Sequence, residues 1–147
     1  MNSDQVYSFL NHLPVHQCGV YASDCLPTRV SPSTALVVNT DPHTKRGVHW
    51  IAVYLDPHGK LEYFDSYGLP PFVRDHLKFI KRNSTRYFYN TTQLQSLNST
   101  VCGHYCLVYL YFRTNGFSMQ DFLSMFDQDT AKNDKFILEC FKYLYTQ

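Results

Sequence analysis

"HWIAVYLDPHGKLEYFDSYG", His49 to Gly68, decides how the rest of the chain is read. Two runs rich in β-branched and aromatic residues flank Asp56-Pro57-His58-Gly59, which predicts a β-hairpin. His49 opens the first strand and Asp65 lies near the end of the second. Side chains alternate with period two, so the register decides whether these two share a face. A three-residue loop, Asp56 to His58 or Pro57 to Gly59, places them directly opposed or diagonal, with Cβ atoms about 5–8 Å apart. A two-residue loop would put them on opposite faces. Taken alone, His49 reads as a hydrogen-bonded core residue and Asp65 as a turn former at a strand end.

Working outward, "SDQVYSFLNHL" (Ser3 to Leu13) carries Val6, Phe9, Leu10 and Leu13 at helical spacing, with Ser3 as the expected cap. "CGVYASDCLP" reads as irregular and "ALVVNT" as a short β-branched strand. "PPFVRDHLKFIKRN" predicts a helix with prolines at its start. "TRYFYNT" is another strand candidate, and "AKNDKFILECFKYLYT" is helical. The expected fold class is α+β: helices packed around a small, mostly antiparallel or mixed sheet.

Composition narrows the class. The 147 residues suit one domain, 1–147, with a real core. Twelve Tyr and eleven Phe argue against disorder, and a net charge of +1 gives no strong case for DNA or an anionic membrane as the main partner. No apolar segment approaches bilayer-spanning length, and no basic start precedes an apolar run. Five cysteines without regular spacing point to reduced thiols, so an intracellular chain is expected. The sequons at Asn83, Asn90 and Asn98 then read as chance matches.

"NSTVCGHYCLVYLYF" (Asn98 to Phe112) sets Cys102 between a polar run and a stretch apolar enough for a buried helix. With Asn98, Ser99 or Thr100 as cap, Cys102 falls in the first turn, where N–H groups and the helix dipole favour a thiolate. Gly103 allows close approach of a substrate to the backbone. A thiol in such a setting plus an imidazole makes a nucleophile. Cys106, one turn deeper, and Cys140 read as core; Cys18 and Cys25 stay undecided. Zinc is the rival account of Cys102, His104 and Cys106, but no C-x-x-C pair supports it, and no metal or other cofactor is expected.

Four segments in order, "CGVYASDCLP", "GVHWIAVYLD", "LEYFDSYG" and "LQSLNSTVCGHYC", resemble the adenovirus-type (adenain-like) cysteine proteases, relatives of the ubiquitin-like-protein (SUMO) proteases. The versions carried by large virus-like DNA transposons are especially similar. The resemblance spans Gly19 to about Tyr111. It implies a papain-like architecture with the catalytic cysteine at a helix N-terminus.

Residue by residue, the resemblance makes Cys102 the nucleophile, His49 the general base and then acid, and Asp65 the group that orients the imidazole. Gln95 would donate its amide to the oxyanion. Trp50 would roof a narrow groove, with Gly19 and Gly103 also at the substrate; its other reading, a core aromatic, stands level with this one. The implied reaction is hydrolysis after glycine through an acyl-thioester, processing viral or virus-like capsid or core precursors. A ubiquitin or SUMO isopeptidase and an inactive peptide-binding module are the alternatives.

The resemblance also has gaps. Residues from Thr114 onward carry no recognisable motif. Adenoviral enzymes use a cysteine to tether an activating peptide, and the corresponding position here is Ser84. A non-covalent activating peptide could still pair with the strand candidate Thr85 to Asn90. The cluster Lys78, Lys81, Arg82 and Arg86 reads as a solvated face rather than a DNA site.

Overall fold

The structure is a computed structural model that describes Met1–Gln147. In chain order it runs α1 (Ser3–Leu10), β1 (Gln17–Tyr21), β2 (Thr34–Asn39), β3 (Trp50–Leu55), β4 (Leu61–Phe64), α2 (Arg74–Asn83), β5 (Tyr87–Tyr89), α3 (Cys102–Thr114), α4 (Met119–Leu123) and α5 (Thr130–Tyr145). The five strands form one sheet in sequence order. Its two inner pairings are antiparallel, whereas β1 pairs β2 and β5 pairs β4 in parallel. No helix is long and apolar enough to cross a membrane.

Alternation along the strands splits the core into two layers. Ala35, Val37, Ala52, Tyr54 and Phe64 face α1, α3, α4 and α5. Leu36, Val38, Ile51, Val53, Leu55, Leu61 and Tyr63 face the other way, onto Phe79 and Ile80 of α2. Both faces of the sheet are thus covered, which explains why β2 and β4 are buried at every position. The helix α3 is the hub: Tyr105 to Leu110 have no accessible surface.

Several sequence expectations shift. The cap of α1 is Asn2, in a capping box with Gln5, rather than Ser3. "CGVY" is strand β1 rather than irregular; no hydrophobic alternation announces it, because parallel pairing with the wholly buried β2 makes the strand. The prolines precede α2 instead of opening it, since Val73 is still extended and serves as N-cap. Capping of α3 also differs. Val101 occupies the cap position and no side chain bonds the first turn. Ser99 cannot serve there, because its hydroxyl is bonded to Ser96 O and Gln95 Nε2.

One ion pair is sealed between sheet and helix. Glu62 of β4 accepts from Arg113 Nε at 2.7 Å and from its terminal nitrogen at 2.6 Å, and also from the Tyr109 hydroxyl. Its side chain is 1 % exposed. Removing one partner of a buried pair strands the other charge, at about 3–5 kcal/mol. Arg113→Ala is therefore expected to lose stability on that scale in urea unfolding. A loss below about 1 kcal/mol, the level of a surface ion pair, would contradict this account.

Candidate active site

The hairpin closes through Pro57-His58-Gly59: Asp56 N–H bonds Lys60 O at 2.9 Å, and Leu55 pairs with Leu61. That register makes His49 diagonal to Asp65. His49 Nε2 lies 2.7 Å from Asp65 Oδ1, with the two side chains 13 % and 2 % exposed. This bond leaves Nδ1 as the ring nitrogen available to the thiol. Cys102 is the first residue of α3, and its Sγ accepts from the Trp50 N–H at 3.5 Å.

The electrostatics follow from this arrangement. Burial alone opposes an imidazolium at His49, but the Asp65 bond and the neighbouring thiol outweigh it and push the pKa up to about 9. Burial also opposes a thiolate at Cys102. His49, with the N–H groups of Trp50 and Gly103, outweighs that penalty and leaves the thiol below its usual value. Cys106 is the contrast. Wholly buried, with its Sγ 3.4 Å from Trp50 O, it is raised well above the ordinary thiol value by burial. An ion pair can therefore form at Cys102 and not at Cys106.

Around these three sit residues that sequence reasoning missed. Asp65 Oδ1 also accepts from Tyr67 N–H at 2.9 Å, and Gly68 N–H returns to Asp65 O at 2.8 Å. Gly68 has φ +75, and a Cβ there would come within 2.6 Å of the Thr92 carbonyl carbon, so only glycine fits this turn. Tyr67 stacks on the His49 ring at 4.6 Å between centroids. Asn90, just past β5, clamps the main chain of Asp65: its Oδ1 accepts from Asp65 N–H at 3.0 Å and its Nδ2 donates to Asp65 O at 2.7 Å. In the sequence, only its place at the end of a short aromatic strand marked it. Loss of both bonds in Asn90→Ala leaves buried groups unpaired, at about 1–3 kcal/mol. The expected result is a lower unfolding midpoint together with an upward move of the Cys102 titration, read by alkylation. A midpoint change with an unmoved titration would confine Asn90 to the scaffold.

Gln95 is fully buried and its amide is engaged. Oε1 accepts from Ser66 Oγ at 2.5 Å, and Nε2 donates to Ser99 O at 3.1 Å and Ser99 Oγ at 3.0 Å. Ser99 O accepts only, which fixes the amide orientation. The side chain therefore ties the 95–101 loop to Ser66, in the turn after β4 that carries Asp65.

Trp50 is half-buried against the α3 side of the core, and its Cδ1 is 3.6 Å from where a Gly103 Cβ would sit. It also borders a cleft of roughly 200 Å³ shared with Tyr21, Asp41, His43, Lys45 and Arg46. Trp50 thus packs on the core with one side and lines this cleft with another. Gly19 is buried in β1, and a Cβ there would strike the Tyr21 ring at 2.5 Å, so glycine makes room for that ring. His104 packs edge-on against Phe141, and the Cys102, His104 and Cys106 side chains do not converge as metal ligands. The donor atoms that do converge, within 4.8 Å of one another, are those of Asp24, Cys25 and His43.

No family model matches the chain. The "SUMO-1 cysteine protease S273R" of African swine fever virus (isolate Tick/South Africa/Pretoriuskop Pr4/1996) is 32 % identical over 109 residues, 65 % of this chain and 40 % of the viral protein. The protease of Bovine adenovirus C serotype 10 is 29 % identical over 93 residues, 54 % of this chain and 47 % of that protein. The crystal structure of the African swine fever virus pS273R protease superposes with a TM-score of 0.53 at 27 % identity, covering 71 % of this chain and 41 % of that one. These viral cysteine proteases are homologues of the chain, and it shares the fold of the S273R enzyme. It spans less than half the length of these relatives.

Proposed function

We propose that this chain is a cysteine protease domain, 1–147, that cleaves peptide bonds after glycine through an acyl-thioester. The observation that carries the reading is the 2.7 Å bond between His49 and Asp65 beside a Cys102 thiol held below its usual pKa. In this reading Cys102 Sγ attacks the scissile carbonyl while His49 Nδ1 holds the proton and passes it to the leaving amine. Asp65 keeps Nε2–H pointed at itself, which fixes the tautomer. The α3 N-terminus carries no side-chain cap, so no cap side chain competes with the oxyanion for the Cys102 N–H. Gln95 joins them only by giving up Ser99, a hydrogen-bond exchange rather than a new contact.

Glycine before the scissile bond is what the sequence resemblance implies, with Trp50, which follows His49 and packs beside Gly103, as the roof of the groove. The sequence resemblance adds capsid or core precursor proteins as the substrates; the viral relatives support the protease activity alone. All five cysteines are free, which supports a reducing, intracellular setting. A second reading is a ubiquitin-like isopeptidase, favoured by the likeness to a SUMO-1 cysteine protease. The experiment is labelling by an electrophilic probe ending in glycine, with and without a ubiquitin-like body. Labelling by the short probe supports the maturation protease. Labelling only by the larger probe moves the reading to the isopeptidase, and labelling by neither sinks both.

The shifts also set a pH window. Cys102 titrates below the ordinary thiol, so its alkylation should rise at lower pH than that of free cysteine. The imidazolium persists up to about pH 9, above which the leaving amine loses its proton source and cleavage should fall. In His49→Ala the burial penalty is left unopposed by the imidazole, and the alkylation profile should move upward. An unchanged profile in that variant would separate His49 from the thiol.

A further inference from the structure

Asp24 and Cys25 follow β1, and His43 follows β2, yet their donor atoms lie within 4.8 Å of one another on the surface. We propose that these three side chains bind a thiophilic divalent cation of the zinc class through Asp24 Oδ2, Cys25 Sγ and His43 Nδ1, with a fourth position open to water.

The placement supports this in three ways. First, the ligand atoms already stand near coordination spacing. His43 Nδ1 is hydrogen-bonded to Asp24 Oδ2 at 2.5 Å, Cys25 Sγ is 3.5 Å from the other oxygen of that carboxylate, and one donor atom of each residue lies within 4.8 Å of the others. A tetrahedral ion with bonds of about 2.0–2.3 Å holds its ligands about 3.3–3.8 Å apart, so small side-chain rotations suffice. Second, the two loops are joined by bonds that a metal would not disturb. Ser23 N–H bonds Asp41 O at 2.9 Å and His43 N–H bonds Asp24 Oδ1 at 2.8 Å, so only the bond between His43 Nδ1 and Asp24 Oδ2 is exchanged for the ion. Third, the set mixes thiolate, imidazole and carboxylate, which suits zinc, cobalt or cadmium and not magnesium or calcium. On binding, the Cys25 thiol releases its proton to solvent, and His43 carries its remaining proton on Nε2.

The position gives the ion something to act on. His43 and Trp50 border the same cleft, and the chain runs from His43 through Arg46 to His49. A bound cation would cross-link the β1–β2 connection to that segment and stiffen one wall of the cleft.

The test titrates Co²⁺, then Cd²⁺, into the reduced full chain carrying Cys102→Ser, which removes the competing catalytic thiol. The expected result is one equivalent bound, with tetrahedral cobalt bands and a thiolate-to-metal charge-transfer band. Adding Cys25→Ser should abolish the charge-transfer band, and His43→Ala should lose binding at concentrations that saturate the parent. Both residues are exposed, so the variants keep the fold, checked by circular dichroism. The proposal is overturned if no such bands form, or if Cys25→Ser leaves them unchanged. Neither result depends on whether the chain cleaves peptides.

Discussion

Cys102→Ala should bring cleavage of a glycine-ending substrate to background while the unfolding transition stays close to that of the parent. The side chain is small, and alanine at the first position of α3 is a good helix former. Only the sulfur is lost, and with it the covalent step. Cys106→Ala should behave in the opposite way. That sulfur is wholly buried among Tyr105, Leu107 and Tyr109, so removing it leaves a small void and costs stability, with activity retained per folded molecule. Labelling of Cys106 rather than Cys102 by the electrophilic probe would reverse the assignment.

His49→Ala should be nearly as damaging, with kcat reduced about 10⁴-fold or more, because members of one catalytic unit fail together. Its ring also stacks on Tyr67, so folding should be checked alongside turnover. Asp65→Asn should lose less than either. Its shape survives, and the Tyr67 N–H can still bond an amide oxygen, while charge and tautomer control at His49 are lost. A variant at His49 that retained near-parental kcat would place the base elsewhere.

How far the sequence reached depended on how local each signal was. The hairpin was legible because turn chemistry and alternation both lie within His49 to Gly68, and the Pro57–Gly59 loop is one of the two that put His49 and Asp65 within reach. The buried helix after Val101 was legible from its continuous apolar run. Strand β1 was hidden because its conformation comes from pairing with residues 34–38. The cap at Ser99 failed for a related reason: its hydroxyl is taken by Gln95, and a propensity cannot report a competing partner. The Asn90 clamp is a contact across 25 residues, and no local pattern encodes it.

The complete burial of α3 from Tyr105 to Leu110 also gives the molecule two thiol clocks. Cys102, at the first turn of α3, keeps a small accessible surface and reports events in the native state, where a reagent can reach it without unfolding. Cys106 has no accessible surface and lies in the helix that touches both sheet and outer helices, so a reagent reaches it only when that packing comes apart. In a Cys102→Ser chain, the rate at which Cys106 is trapped under fast labelling should therefore equal the global unfolding rate, measured in water without denaturant.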